Sequence, residues 1–427
     1  MKHESYWLDT APSNSNSYVS CELNDKADVI VIGGGFTGLS SALCLAKRGA
    51  ETVILEAGDV IGEASGRNGG QCNNGTAQSF SDLVKGHGIE QAKCFYQAYN
   101  QAVDTIEALI KREEIDCDFS RNGKLKLAAK PAHFEGLKQA AQLLKTEGVD
   151  PNVELLTAAD LSSEISCDGF YGGLLYPDSA KLHVGKFGHG LALAAVNAGA
   201  KIHANTPATN LEKSASGSWI VTTPRGKIEA TQVLVATGGS GPGPFGWFRR
   251  RIVPVGSFAI VTEPLPTELI EQLLPGKRNY VTTRHIGNYF RVTPDQRLLF
   301  GGRARFAVSN PKSDQQGGVI LRQTLAKLMP ELKDVGVDYC WGGTVDMSAD
   351  RLPRAGQHNG LYYSMGYSGH GVQMAVHMGE IMANLIEGKT TRNPWQDLNW
   401  PAVPGHFGKP WFLPVVGLYY QLLDRTQ

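Results

Sequence analysis

The chain has 427 residues, 42% of them hydrophobic and 50 of them glycine, enough for two or three domains with substantial cores. Lys plus Arg and Asp plus Glu both number 41, a balance that argues against nucleic acid or an acidic membrane as the main partner. Seven cysteines with no C-x-x-C spacing and 11 histidines with no H-E-x-x-H pair point to neither a disulfide framework nor a metal.

Residues 1–8 hold no apolar signal core, and no run approaches the roughly 20 apolar residues of a membrane span, so a cytoplasmic, reduced protein is expected. The first strong element is Asp28-Val29-Ile30-Val31-Ile32, a β-branched strand that opens onto Gly33-Gly34-Gly35-Phe36-Thr37-Gly38. A helix is predicted over 39–48, and a second strand, Val53-Ile54-Leu55, ends in Glu56 and Ala57. Strand, G-x-G-x-x-G turn, helix, strand and acid in this order form the dinucleotide-binding βαβ unit. Gly33 lets the strand turn sharply, Gly35 admits a pyrophosphate to the backbone, and Gly38 lets the helix pack on the sheet. The phosphates would then meet the positive end of the helix, where Phe36 and Thr37 begin it. Glu56 would accept from the hydroxyls of an adenosine ribose.

A second cradle follows at Gly62-Glu63-Ala64-Ser65-Gly66-Arg67-Asn68-Gly69-Gly70-Gln71, read as a loop too rich in glycine to be a packed element. Arg67 is a natural phosphate partner, and the glycines let backbone follow a flat ring. A flavin needs such a second grip; a nicotinamide cofactor has no evident use for it. Helices are predicted over 82–113, 133–147 and 182–198, with an alternating strand at 123–128 between the first two. Strands are expected at 201–203 and 219–223, and Val233-Leu234-Val235-Ala236-Thr237-Gly238-Gly239 reads as a strand closing on a glycine turn. The β-rich stretches 251–262, 279–283, 287–292 and 297–302 imply an antiparallel sheet, and a helix follows at 318–329. Residues 360–372 form a strand and a glycine-rich turn ahead of a helix to about 386. The apolar segment 411–420 is read either as a tail packed on the body or as a surface for peripheral membrane contact.

The segment 28–71 resembles the FAD-binding N-terminus of the D-amino-acid-oxidase-type flavoprotein family, and its A-S-G-R-N-G-G-Q block is similar to the γ-glutamylputrescine oxidoreductase branch. The A-T-G-G at 236–239 and the turn at 366–372 resemble the family's two later motifs. The resemblance implies an α/β chain, α+β overall, with a Rossmann-like FAD-binding domain and an inserted antiparallel-sheet substrate domain, like glycine oxidase and monomeric sarcosine oxidase. The expected division is 1–80, 166–243 and 340–427 for the FAD domain, and 81–165 and 244–339 for the cap. Ala208, Ala236, Thr237, Gly238, Gly369, His370, Gly371 and Val372 join the residues already named as expected FAD contacts. In the family the last helix aims its N-terminus at the pyrimidine end of the flavin.

The chemistry implied is hydride transfer from the carbon bearing nitrogen to flavin, with the imine then hydrolysed. A γ-glutamylputrescine-type amine is the leading substrate, and L-pipecolate or another secondary or cyclic amino acid is the alternative. A tRNA-modifying or biosynthetic flavoprotein is the reading of another class. Oxygen or a quinone would take the electrons. His370 is expected to bond the ring or assist amine deprotonation, or else only to cap its helix. Tyr289 and Arg291 share one face of a strand, facing either substrate or solvent. Arg284, beside His285, is a candidate for a substrate carboxylate. The turn at 366–372 has no arginine where amino-acid oxidases often carry a clamp, and Asp346 falls where glycine oxidases carry another. An acid there would favour a cationic amine, although Arg351 and Arg354 lie close enough in sequence to restore a clamp. Cys72 and Cys340 are conceivable covalent tethers, but free thiols are expected.

Overall fold

The computed structural model describes all residues except 13–18, 21, 24, 239, 240, 242 and 427, so Gly239 of the predicted glycine turn lies outside the described residues. The β-branched run becomes the strand Lys26–Ile32 within an eight-stranded sheet. The main path of that sheet runs Arg354–His358, Leu361–Met365, Gly226–Val235, Lys26–Ile32, Thr52–Leu55 and Lys201–His203. Trp219–Thr223 and Asn210–Lys213 extend it from Gly226–Val235. Ile32 lies level with Leu55 on one side and Val235 on the other, so three strands end together at one rim. That carboxyl rim is where open α/β sheets bind their ligands.

Helix Phe36–Lys47 leaves this rim and packs against helix Gly371–Ile386. Ser40 Oγ donates to the Val376 carbonyl at 2.9 Å, and Ser41 Oγ to that of Gly379 at 3.0 Å. A Cβ on Gly379 would come within 2.6 Å of Ser40 Cβ, so a glycine is what lets the two helices approach this closely. The predicted helix over 82–113 breaks at Gly88, whose φ is +79°, into Phe80–His87 and Ile89–Arg112. The second of these packs on Gly371–Ile386 and brings Tyr99 edge-on to His370. It is therefore not a purely roof element.

The second sheet also has eight strands. In order they are Val337–Met347, Val253–Thr262, Leu298–Gly302, Asn288–Val292, Asn279–Thr282, Lys124–Leu127, Gly172–Tyr176 and Glu154–Thr157. The expected antiparallel sheet is mixed, because Asn279–Thr282 runs parallel to Lys124–Leu127. Gly172–Tyr176 and Val337–Met347 both belong to it, so the expected boundaries at 166 and 340 cut through this sheet. Val337–Met347 pairs along nearly its whole length with Val253–Thr262, despite glycines and aspartates that weaken its strand signal.

Candidate active site

Between the rim of the first sheet and the face of the second lies a cavity of about 1170 Å³. One end is built by the βαβ turn. Gly33 has φ +116°, and a Cβ there would strike the Ala236 carbonyl oxygen at 2.5 Å. A Cβ on Gly35 would meet Ser65 Oγ at 2.9 Å, closing the gap between the helix start and the turn at Ala64–Arg67. Ser65 Oγ accepts from Phe36 N–H at 3.1 Å. The Glu56 carboxylate lines this end and accepts from Gly34 N–H at 2.6 Å and Gly58 N–H at 2.8 Å. Burial pushes its pKa up, while those two N–H groups work the other way.

The second cradle departs from expectation in having one helical turn and a strand, Gln71–Cys72, rather than a bare loop. Arg67 lines the cavity, yet its Nε donates to Gly62 O at 2.7 Å and its Nη1 to Gly342 O at 3.2 Å, tying the cradle to the second sheet. Asn68 folds the same turn, donating to the Ala64 and Ser65 carbonyls and accepting from Gly70 N–H. Ala57, Ala64, Gly69, Gln71, Ala208, Ala236, Thr237, Gly238, Gly369, Gly371 and Val372 also line the cavity. Gly38, Gly66 and Gly70 do not. A Cβ on Gly38 would lie 1.9 Å from the Gly33 carbonyl, and one on Gly66 would strike Ile61 and Leu8, so these glycines serve packing. At the first turn of Gly371–Ile386, buried His370 Nδ1 and Gln373 Oε1 face the cavity with no hydrogen-bond partner. A glycine cradle, a ribose-type acid and two orphaned polar atoms fit a dinucleotide flavin along this wall.

The other end takes its walls from the second sheet. Tyr289 lines it, its ring so close over Gly69 and Gly301 that a Cβ on either would collide. Arg291 is a correction. It is buried, Nη1 donates to Gly70 O at 2.6 Å, and its guanidinium lies 4.9 Å over Trp7, so it fixes the cradle from behind. Arg354 is likewise buried away from the cavity, paired with Asp350 at 2.5 Å. Cys72 and Cys340 are buried off the cavity, which removes both as tethers in this geometry. Arg284, Asp346 and Arg351 do line it. Asp346 accepts from Gly366 N–H at 2.6 Å, and burial pushes its carboxyl up to about 6. His370 is pushed down to about 3, first by burial and then by Lys124, Lys126 and Arg351. Its imidazole is neutral at pH 7 and too weakly basic to take an amine proton, which corrects the expected role in deprotonation.

Three cationic residues of the cavity escape sequence reasoning: Lys124, Lys126 and Arg303. The two lysines stand two apart on the strand Lys124–Leu127 and so share its cavity face. Lys124 Nζ donates to Asn74 O at 2.7 Å and lies 3.9 Å over the Tyr176 ring. Burial, and then Lys126, bring Lys124 down to about 7, and burial also lowers Lys126 and Arg303. The available signal was the pair of lysines alternating with leucines in a short strand. Lys124, Lys126, Arg284, Arg303 and Arg351 thus face one cavity, and none forms an ion pair with a carboxylate among the described residues. Asp346 lines the same cavity.

Comparison with known proteins gives a consistent picture. The family model described as FAD dependent oxidoreductase matches residues 28–385. The chain is 31% identical over 421 residues to gamma-glutamylputrescine oxidoreductase of Escherichia coli (strain K12), with 97% of each chain covered. It is 30% identical to a probable oxidoreductase OrdL of Haemophilus influenzae, covering 94% of this chain and 93% of that one. The crystal structure of glycine oxidase from Geobacillus kaustophilus superposes with a TM-score of 0.75 at 21% identity, over 89% of this chain and 100% of that chain.

Proposed function

The chain belongs to the FAD dependent oxidoreductase family, and from that premise we propose that it oxidises the C–N bond of an amine that carries a carboxylate. It is an oxidoreductase acting on C–N groups of amines or amino acids, with FAD as its cofactor. The observation that carries the proposal is the wall of five cations with no carboxylate partner among the described residues. Burial disfavours the charge of Lys126 and Arg303, Arg284 and Arg351 stand exposed at the same wall, and an anionic group on the substrate supplies a counter-charge to them. Arg351 and both lysines act electrostatically on His370 at the head of the last cavity helix. That nearness supports a carboxylate held close to the reacting carbon, as in a cyclic amino acid such as L-pipecolate. A second candidate is γ-glutamylputrescine, favoured by the Escherichia coli relative and by Asp346, an acid suited to a cationic amine.

When bound, the cofactor supplies acceptance of a hydride from the carbon bearing nitrogen, and the resulting imine is hydrolysed by water. The residues supply the rest. Lys126, Arg303 and Arg351 hold the carboxylate and so orient the C–N bond. The amine must be neutral to react, and Lys124 Nζ is held near 7, where its free form can take the ammonium proton. Tyr289 closes the roof over the cradle glycines.

Oxygen or a quinone takes the electrons on this reading, from the cytoplasmic side. The helix Leu413–Thr426 and the turn before it expose Phe407, Trp411, Val415, Leu418, Tyr419 and Leu422, which supports a membrane-borne acceptor. No helix among the described residues is long and apolar enough to cross a membrane.

Arg351→Gln tests the substrate class. It is expected to raise KM for a carboxylate-bearing amine by about 10- to 100-fold, the usual worth of a charge-assisted hydrogen bond. An unchanged KM in both Arg351→Gln and Arg303→Gln would overturn the assignment.

A further inference from the structure

The chain ends in a helix, Leu413–Thr426, whose buried residues among those described are only Leu413 and Gly417. Leu418 is 66% exposed and Tyr419 58%, so the helix adds little to any core. Its inner edge nevertheless makes a set of directed contacts with the mouth of the cavity. Tyr420 lines the cavity and stacks between two rings: His285 at 5.5 Å and 23°, and Phe306 at 5.5 Å and 28°. Gly417 permits this seat, since a Cβ there would come within 2.9 Å of Phe306.

One turn further on, Asp424 Oδ1 accepts from His285 N–H and Oδ2 from Ile286 N–H, each at 2.9 Å. The Asp424 carbonyl accepts from Lys130 Nζ at 2.7 Å, which anchors that end of the helix to the roof. A carboxylate that takes two successive backbone N–H groups is a charge-assisted, bidentate clasp. It holds the turn that carries Arg284. The near side of that turn has its own tethers: Thr283 Oγ1 pairs with His133 Nδ1 at 2.7 Å and accepts from Ala129 N–H at 3.1 Å. The far side is closed by Asn288 N–H on Thr282 Oγ1 at 2.9 Å. Arg284 and His285 are exposed and Ile286 only half-buried, so apolar packing does little to fix the residues between. Asp424 makes two side-chain bonds that reach their backbone.

We propose that Asp424 is a positioning residue which, from the last helix, sets the Arg284 turn so that Arg284 reads the anionic group of the substrate, with Tyr420 closing the same wall. The inference rests on the carboxylate-bearing substrate proposed above. It assigns the inner edge of the C-terminal helix a role in specificity.

The test uses the full-length, FAD-loaded protein and an unreactive probe, cyclohexanecarboxylate, titrated against the visible absorbance of the bound flavin. Arg284→Gln and Asp424→Asn are each expected to weaken binding by about 10-fold. The double variant should be no weaker than either single one, because the second residue acts through the first. Arg303→Gln combined with Asp424→Asn should instead multiply. If Asp424→Asn leaves binding unchanged while Arg284→Gln weakens it, the positioning role falls and the substrate class stands. A multiplied loss in the Arg284/Asp424 double variant also overturns the role. If neither Arg284→Gln nor Arg303→Gln changes binding, the substrate class itself falls. Should Asp424→Asn fail to load flavin, Asp424→Glu keeps the charge with displaced geometry. Its binding must then fall between wild type and Arg284→Gln, and wild-type affinity would refute the role.

Discussion

Single side chains decide what this cavity can do. Gly35 is the clearest, because a Cβ there points at Ser65 Oγ across the space where a pyrophosphate must approach the backbone. Gly35→Val is expected to yield a colourless protein with the fold retained, read as lost 450 nm absorbance against an unchanged far-ultraviolet circular dichroism spectrum. Lys124 makes a pH prediction. The groups around it are Lys126 on its own strand, Asp150, the phenols of Tyr96 and Tyr176, and His370, and burial outweighs them all to bring it near 7. A base that must be free to accept a proton makes kcat/KM fall about tenfold per unit below its pKa. The wild-type profile should therefore lose activity as pH drops through about 7, and Lys124→Met should lose that limb along with most of its turnover. The glycines were legible because backbone approach leaves a fixed spacing. The lysines were not, since whether a strand lysine is buried depends on neighbours that join Lys124 from 52 and 155 residues away, namely Tyr176 and Asn279 on the two flanking strands.

At the scale of elements, the turn between Leu361–Met365 and Gly371–Ile386 gathers one of the cavity's acids, Asp346, and the imidazole of His370. Asp346 enters from the second sheet and is clasped by Gly366 N–H, while its own carbonyl accepts from Ser368 N–H at 3.1 Å. Burial raises the folded-state pKa of Asp346 to about 6, above its ordinary 3.8. A raised carboxyl contributes stability that is fully present below about pH 4 and lost as pH climbs through about 6. Asp346→Asn keeps an acceptor for Gly366 and removes that loss. Its melting temperature should gain on the wild type between pH 4 and 6.5, and parallel curves would show that Asp346 does not titrate in this range. The helix from Phe36 and the helix from Gly371 were both legible as apolar, 3.6-period segments behind glycine turns. Val337–Met347 was placed wrongly because its glycines and aspartate conceal a strand that exists only through its long pairing with Val253–Thr262.

Over the whole molecule, two sheets assembled from interleaved stretches of chain meet around one cavity, and the division of labour follows from their edges. The parallel rim offers backbone N–H groups and Glu56 to a dinucleotide. The mixed sheet and its turns place Lys124, Lys126, Arg303 and Tyr289 on the opposite wall, and Tyr420 of the last helix lines the same cavity. Fold and cofactor could be read from motifs that are local in sequence. The substrate face could not, because the Lys124/Lys126 pair, Arg303 and Arg351 converge from three separate segments with no common spacing. The most direct measurement is anaerobic bleaching of the bound flavin at 450 nm by two matched pairs of amines. These are L-pipecolate against piperidine, and γ-glutamylputrescine against putrescine. A cavity walled by unpaired cations predicts rapid bleaching by a carboxylate-bearing member and little by its carboxylate-free counterpart. Equal or faster bleaching by piperidine or putrescine, or a purified protein that carries no flavin, would contradict it.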